Sequence, residues 1–204
     1  MNELDKALGD ISSIRRQVAG STEFRGYGPA TLAATAALAF AAAAIQPLAV
    51  SDPARHVDRY LFVWIATAVL CAALTGVQMV TRSRRIHSAL SDDMIHMAVE
   101  QFLPAVAAGL LLTVVLVRAV PASAWMIPGL WQVIFSLGIF SSCRFLPRPM
   151  AAAGIWYLLT GLVCLSLGSA RAFSPWAMGI PFGLGQSLVA AILLLRSREV
   201  ADEE

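Results

Sequence analysis

The stretch FLPAVAAGLLLTVVLVRAV, at positions 102–120, decides the class of this chain. Its 19 residues contain a single charged side chain, Arg118, close to the end. The hydrocarbon core of a bilayer is about 30 Å thick and is crossed by about 20 helical residues. In lipid, a helix lets such a run satisfy its own backbone hydrogen bonds. Five more stretches share this character, so the predicted spans are 29–50, 60–80, 102–120, 124–143, 150–168 and 175–195.

The composition also indicates a membrane protein. Of the 204 residues, 58% are hydrophobic and 14% are charged, and the mean hydropathy is +0.70, which lies outside the range of soluble globular domains. The first 25 residues are polar and mixed in charge, unlike a secretory signal. The net charge of +2 is too small to indicate direct nucleic-acid binding. We expect a cytoplasmic amphipathic segment at 1–27, a six-helix transmembrane domain at 28–196 with a cytoplasmic amphipathic segment at 82–100, and a short acidic cytoplasmic tail at 197–204.

The distribution of basic residues predicts the orientation. Four of them, Arg55, Arg59, Arg118 and Arg171, fall on one side of the predicted spans. The other eleven are Lys6, Arg15, Arg16, Arg25, Arg82, Arg84, Arg85, Arg144, Arg148, Arg196 and Arg198. The positive-inside rule places these eleven, and both termini, in the cytoplasm. Because the connections are short, we expect an all-α integral membrane bundle of six helices built as three antiparallel hairpins. The excess of arginine over lysine, with many alanines, is typical of a GC-rich bacterial genome.

Two cytoplasmic segments carry apolar side chains at helical spacing. One contains Leu4, Leu8 and Ile11, and the other contains Ile86, Leu90 and Met94. Each pattern predicts an amphipathic helix, which either lies in the lipid interface or docks a soluble partner. The candidates for partner binding are therefore Leu4, Leu8, Ile11, Arg82, Arg84, Arg85, Ile86, Leu90 and Met94.

Polar uncharged side chains are the candidates for ligand binding. No Asp, Glu or Lys falls in the interior of a predicted span, which argues against an ion-coupled pump. Gln132 and Gln186 lie near the middle of the fourth and sixth spans, beside Pro/Gly breaks of the kind that marks binding sites in transporters. Such groups also serve as hydrogen-bonded ties between helices, and the sequence leaves both interpretations open. The candidate ligand-binding residues are Gln132, Gln186, Trp131 and Tyr157.

The sequence lacks the usual signs of catalysis and of cofactor binding. It contains no H-E-x-x-H, no G-x-S-x-G and no phosphate-binding glycine loop. All three histidines fall outside the predicted spans, so bis-histidine haem is not expected. The three cysteines form no C-x-x-C pair. We therefore expect no enzymatic activity, no metal and no cofactor.

Several stretches resemble a family of small six-helix bacterial inner-membrane proteins of uncharacterised function. They are TEFRGYGP at 22–29, EQFLPA at 100–105 with the following Ala108-Gly109, IPGLW at 127–131, and the helix from Gly183 to the basic Arg198. The resemblance implies a pairing with a winged-helix transcriptional regulator, which is often encoded beside members of that family. It carries no catalytic residue. Members have a histidine in the closing helix where this chain has Gln186, so a role for that histidine does not transfer.

The sequence favours a non-enzymatic regulatory or sensor protein of the membrane. Its cytoplasmic face is predicted to engage a soluble partner, namely the DNA-binding regulator that the resemblance implies, and the bundle to respond to a lipid or an apolar small molecule. The alternative is a small transporter or channel for an uncharged or weakly polar solute. Gly154, Gly161 and Gly168 predict close helix contacts, either within one chain or in a homo-oligomer.

Overall fold

The computed structural model describes residues 28–86, 89–143 and 148–202. The predicted helix with Leu4, Leu8 and Ile11 therefore lies outside the described residues. The described part also omits the side chains of residues 82–86, 89–96, 98, 148, 170 and 196–202.

Six long helices make up the described chain, which contains no strand. They are α1 (Pro29–Ala49), α2 (Val57–Ile86), α3 (Ala89–Arg118), α4 (Ile127–Ser142), α5 (Ala151–Ser166) and α6 (Pro175–Asp202). A 3₁₀ helix at Pro121–Met126 leads into α4, another at Arg148–Met150 leads into α5, and one helical turn at Ser169–Ala172 precedes α6. The 82–100 segment is largely helical in continuation of the spans, since α2 runs to Ile86 and α3 begins at Ala89.

Five segments are long and apolar enough to cross a membrane, which confirms a multi-pass helical membrane protein. They are Pro29–Ala49, Val57–Thr81, Val99–Arg118, Pro121–Ser142 and Pro175–Leu195. The fifth predicted span, 150–168, corresponds to α5, whose 16 residues are apolar but rise only about 24 Å at 1.5 Å per residue. The chain turns at Gly168, whose φ of 70° and ψ of −175° fall in a region open essentially to glycine alone. Gly168 thus ends a helix instead of making the predicted helix contact.

The helices form a ring in chain order, and α6 returns to pack on α1. Neighbouring helices run antiparallel: the start of α1 at Gly28 meets α2 at Gln78, and Gln46 near the end of α1 meets Trp64 near the start of α2. The largest interfaces are α1–α6 and α4–α5, which join helices of different predicted hairpins. The hairpin as a building unit stays a prediction.

Small residues explain why these two interfaces are close. Along α1–α6, Gly179 packs on Ala43 and Gly183 packs on the ring of Phe40. Along α4–α5, a Cβ built on Gly161 lies 2.9 Å from the carbonyl oxygen of Gly129, so the two backbones are in contact. Gly154 packs in the same interface, on the ring of Phe140. Two of the three predicted glycine contacts therefore form within one chain.

Helices α2 and α3 are the least buried parts of the ring. Only 17% of the α2 span and 6% of the α3 span are buried, against 33–39% for α1, α4 with its 3₁₀ lead, and α6. α3 packs on α4 and on the 3₁₀ helix before it, whereas α2 and α3 meet in very few places. The ring therefore has a gap between α2 and α3.

The close α4–α5 contact predicts that adding one methyl group at Gly161 destabilises the protein. In Gly161→Ala, the new Cβ meets backbone atoms that cannot move independently, so we expect a loss of about 1–3 kcal/mol of unfolding free energy. Gly76→Ala is the matched control, because a Cβ at Gly76 meets nothing within 4 Å and alanine favours the helix by up to about 1 kcal/mol. Unfolding in bicelles measures both variants, and equal stability would contradict the backbone contact.

Candidate functional site

A central cavity of about 570 Å³ lies inside the ring and is lined by all six helices. Its volume is in the range of sites for small molecules. Its wall extends from Leu32, Met79 and Val189, near the end of the bundle where α1 begins, to Trp64 and Trp131. We name these two ends of the bundle the Gly28 end and the Gln46 end, after the residues at the start of α1 and near its last turn.

A buried cluster closes the bundle at the Gln46 end. Gln46 is completely buried; its Nε2 donates to the carbonyl oxygen of Phe173 at 2.9 Å, and its Oε1 accepts from Trp64 Nε1 at 2.9 Å. Tyr60 packs edge-on against Phe173, with ring centroids 4.9 Å apart. Ile127 and Met178 are buried in the same part of the bundle. The cavity therefore does not continue as a pore through this end.

Sequence analysis missed Gln46. The signal was present, since Gln46 is the one strongly polar side chain in the alanine-rich run 29–50. Gln46 lies beside Pro47 near the end of the span, where the sequence does not distinguish an interfacial side chain from a buried one. Its role as a tie between elements depends on its hydrogen-bond partners, Trp64 of α2 and Phe173 before α6, which are distant from it in the sequence.

Three of the four predicted ligand-binding residues line the cavity. Trp131, Tyr157 and Gln186 belong to its wall, and Gln132 does not. Gln132 is fully buried between α4 and α6, where its Nε2 donates to the carbonyl oxygens of Pro128 at 3.1 Å and Ala177 at 2.9 Å. Its donor group thus ties two helices together.

The polar atom of Trp131 is also engaged within the protein. Its Nε1 donates to Thr113 Oγ1 at 2.8 Å, and the Thr113 hydroxyl donates to the carbonyl oxygen of Gly109 at 2.7 Å. This pair of side chains links α4 to α3. Trp131 accordingly offers the cavity an apolar ring.

Tyr157 and Gln186 differ from the other polar residues of the wall. The Tyr157 hydroxyl is buried and has no hydrogen-bond partner among the described residues. It packs on the backbone of Gly185, and the Gln186 side chain lies within hydrogen-bonding reach of it, although outside standard hydrogen-bond geometry. Gln186 is partly exposed, and its amide carries two donors and an acceptor oxygen.

The remaining hydroxyl groups of the wall use their protons on their own helices. Thr35 donates to the carbonyl oxygen of Leu32, Thr67 to that of Val63, Thr75 to that of Cys71, and Ser142 to that of Gly138. Trp64 Nε1 is bonded to Gln46. Within the described wall, unused hydrogen-bonding capacity is therefore concentrated at Gln186 and at Tyr157 behind it.

The rest of the wall is apolar and strongly aromatic. Phe135 of α4 packs edge-on against Phe102, Tyr157 and Phe182, with ring centroids 4.8–5.4 Å apart. None of the described lining residues is Asp, Glu, Lys, Arg or His, and the described chain has no group of three or more potential metal ligands. A charged ligand would therefore lose its hydration without gaining a counter-charge. The site suits a neutral, mostly apolar molecule.

The predicted partner-binding residues of α2 and α3 lie at the Gly28 end. Arg82, Arg84, Arg85 and Ile86 belong to the last turns of α2, and Leu90 and Met94 belong to the first turns of α3. Their side chains lie outside the described part. Their backbone positions place them at the same end of the bundle as the cavity, on the two helices that border the gap.

Comparison of the chain with protein-family models, with curated proteins and with solved structures gave no match. The functional argument consequently depends on the geometry of the bundle.

Gln46 and Gln186 are expected to differ in how far substitution by leucine destabilises the protein. Gln46→Leu leaves Trp64 Nε1 and the Phe173 carbonyl without their partner, so we expect about 1–3 kcal/mol less unfolding free energy. Gln186→Leu breaks no such bond, so a change below about 0.5 kcal/mol is expected. Reversible unfolding in mixed micelles measures both. If Gln186→Leu proved the more damaging, Gln186 would be a structural tie.

Proposed function

We propose that this chain is a non-enzymatic membrane sensor. Its cavity binds a small neutral molecule, and its face at the Gly28 end engages a soluble partner. The observation that carries the proposal is a mostly apolar cavity in which the described side chains of Gln186 and Tyr157 have donors that are not used on their own helices. The described lining residues include no pair of groups placed for acid–base or nucleophilic chemistry, and binding is the activity that this wall supports best.

The orientation belongs to the same proposal. By the positive-inside rule the Gly28 end, which carries Arg82, Arg84 and Arg85, faces the cytoplasm of a bacterium, with both termini on that side. The three predicted hairpins then cross the inner membrane with their outer connections at the Gln46 end. The resemblance to small inner-membrane proteins encoded beside winged-helix regulators suggests that the partner is such a DNA-binding regulator.

The gap offers a way for ligand binding to alter the partner surface. The predicted partner residues at the end of α2 and at the start of α3 are connected through positions 87–88, while the spans of these helices barely touch. A molecule between the spans changes the separation of α2 and α3, and hence the arrangement of the surface at the Gly28 end. A ligand shifts such an equilibrium only by its difference in affinity for the two arrangements.

A small transporter for an uncharged solute is the second candidate. It is supported by the participation of all six helices in the cavity and by Pro181 within α6, next to the wall residue Phe182. The buried cluster of Gln46, Tyr60 and Trp64 argues against it, because a transported solute has to pass that end.

The first test of the sensor is native mass spectrometry after gentle extraction from the source membrane. We expect a complex with a second, soluble polypeptide. Deleting residues 1–20 together with Ile86→Ser, Leu90→Ser and Met94→Ser should abolish that complex, because these changes remove the apolar faces of both segments. Arg55→Ala with Arg59→Ala, at the opposite end, is the control that should retain it. Capture unaffected by the deletion and serine substitutions would contradict the proposed surface.

Thiol labelling of Cys71, which lines the cavity, distinguishes the sensor hypothesis from the transporter hypothesis. In a variant with Cys143→Ala and Cys164→Ala, we expect a membrane-impermeant cationic thiol reagent added at the Gln46 end to leave Cys71 unmodified, because the cluster blocks that route. A cysteine at the exposed Ala54 is the positive control for the same side. Modification of Cys71 from both sides would favour transport.

A further inference from the structure

We propose that the ligand is a neutral amphiphile dissolved in the bilayer, with an apolar chain and one uncharged oxygen-bearing head, such as a long-chain alcohol. It enters sideways through the gap between α2 and α3, and its head oxygen accepts a hydrogen bond from the Gln186 amide. This inference rests on the proposed sensor function and specifies both the ligand chemistry and the route of entry.

The gap makes the cavity continuous with the lipid-facing surface. Ala68 and Ala72 on α2, and Val99, Leu103 and Val106 on α3, line the cavity and are exposed, and they lie on the two helices that meet in few places. Leu103 and Val106 are 60% and 53% exposed. A molecule inside the cavity can therefore share the gap with surrounding lipid chains, and it does not have to leave the membrane to enter.

The small residues of α2 at this border keep the passage wide. Ala68, Ala72 and Gly76 recur at four-residue spacing, which places them on one helix face, and all three line the cavity. A Cβ on Gly76 would meet nothing within 4 Å. No side chain of this row of small residues reaches far enough to replace the missing contact with α3.

Gln186 and Tyr157 define the head of the ligand. The Tyr157 hydroxyl is buried, and the polar side chain within its reach is that of Gln186, outside standard hydrogen-bond geometry; leaving such a hydroxyl unsatisfied costs about 1–3 kcal/mol. A small rotation of the Gln186 amide lets its oxygen accept from Tyr157 while its nitrogen donates outward into the cavity. A head oxygen of the ligand completes this chain. A carboxylate or phosphate head would instead be placed in a wall without a cation.

The blocked Gln46 end limits the ligand to one side of the cavity. An apolar chain extends from Gln186 along the rings of Phe102, Phe135 and Phe182 toward the gap, where its end remains among lipid chains. A double-chain lipid with a charged head fits this arrangement poorly, because its head would have to cross the aromatic wall to reach Gln186.

The test uses the full chain in phosphatidylcholine vesicles with two photoreactive probes. One is a long-chain alcohol with a diazirine in its chain, and the other is the corresponding fatty acid. After irradiation at a pH where the acid is ionised, mass spectrometry locates the adducts. We expect the alcohol to label cavity residues such as Phe135 and Phe182, and the acid to label only lipid-facing positions.

Two matched variants test the route of entry. Ala72→Trp fills the gap from α2 and should abolish cavity labelling by the alcohol. Ala73→Trp adds the same ring one residue away, at an exposed position that does not line the cavity, and should leave labelling unchanged. Cavity labelling that survives Ala72→Trp would overturn the sideways route.

Gln186→Leu and Tyr157→Phe test the head group. The first removes the donor and should lower labelling at equal probe concentration roughly three- to tenfold, the value of one hydrogen bond. The second removes only an unpartnered hydroxyl, so its fold is expected to survive, and a smaller decrease is expected. Equal cavity labelling by alcohol and acid, or no effect of either variant, would overturn the neutral head. A soluble partner captured by a chain that no probe labels would leave the sensor standing and overturn this ligand.

Discussion

The rest of this bundle depends on the close contacts that small residues allow at two interfaces. In lipid, helices gain nothing from burying apolar surface against one another, so association relies on close packing and on polar ties. The contacts of Gly179 with Ala43 and of Gly161 with Gly129 provide that packing. They connect α1 with α6 and α4 with α5, and thereby fix four of the six helices. With those four in place, α2 and α3 are each held mainly from one side, which leaves the gap.

Buried polar groups add specificity to this packing. Gln46, Gln132 and the pair of Trp131 with Thr113 each join separate elements through hydrogen bonds of 2.8–2.9 Å. A buried polar group without a partner is costly in a medium where water cannot replace it. The Tyr60 hydroxyl and the Gln132 side-chain oxygen are also buried without a partner among the described residues, but neither residue lines the cavity, whereas Gln186 and Tyr157 both do. Position in the cavity wall therefore separates a candidate ligand contact from buried residues of identical chemistry.

Sequence patterns could predict the spans, because length and hydropathy are properties of single segments. They also identified Trp131, Tyr157 and Gln186 as polar or aromatic residues within the spans, and all three line the cavity. They could not distinguish Gln132 from Gln186, since both are glutamines beside Pro/Gly breaks and the difference lies in which carbonyl groups another helix presents. The tie made by Gln46 depends on Trp64 and Phe173, and Phe173 is 127 residues away. The order of helices was inaccessible for the same reason: the α1–α6 interface joins the two ends of the chain.

The small contact between α2 and α3 affects how the bundle could respond to the proposed ligand. α3 packs on α4 but meets α2 in few places, so the cost of separating α3 from α2 is small compared with that of opening the α4–α5 interface. A molecule in the gap adds contacts to both helices at once and favours the arrangement that accommodates it. Because the predicted partner residues lie on the continuation of those same two helices, the proposed displacement in the membrane would reach the Gly28 end along the helices themselves. The position of the gap, between the helices that carry the predicted partner surface, is therefore what connects the ligand proposal to the partner proposal.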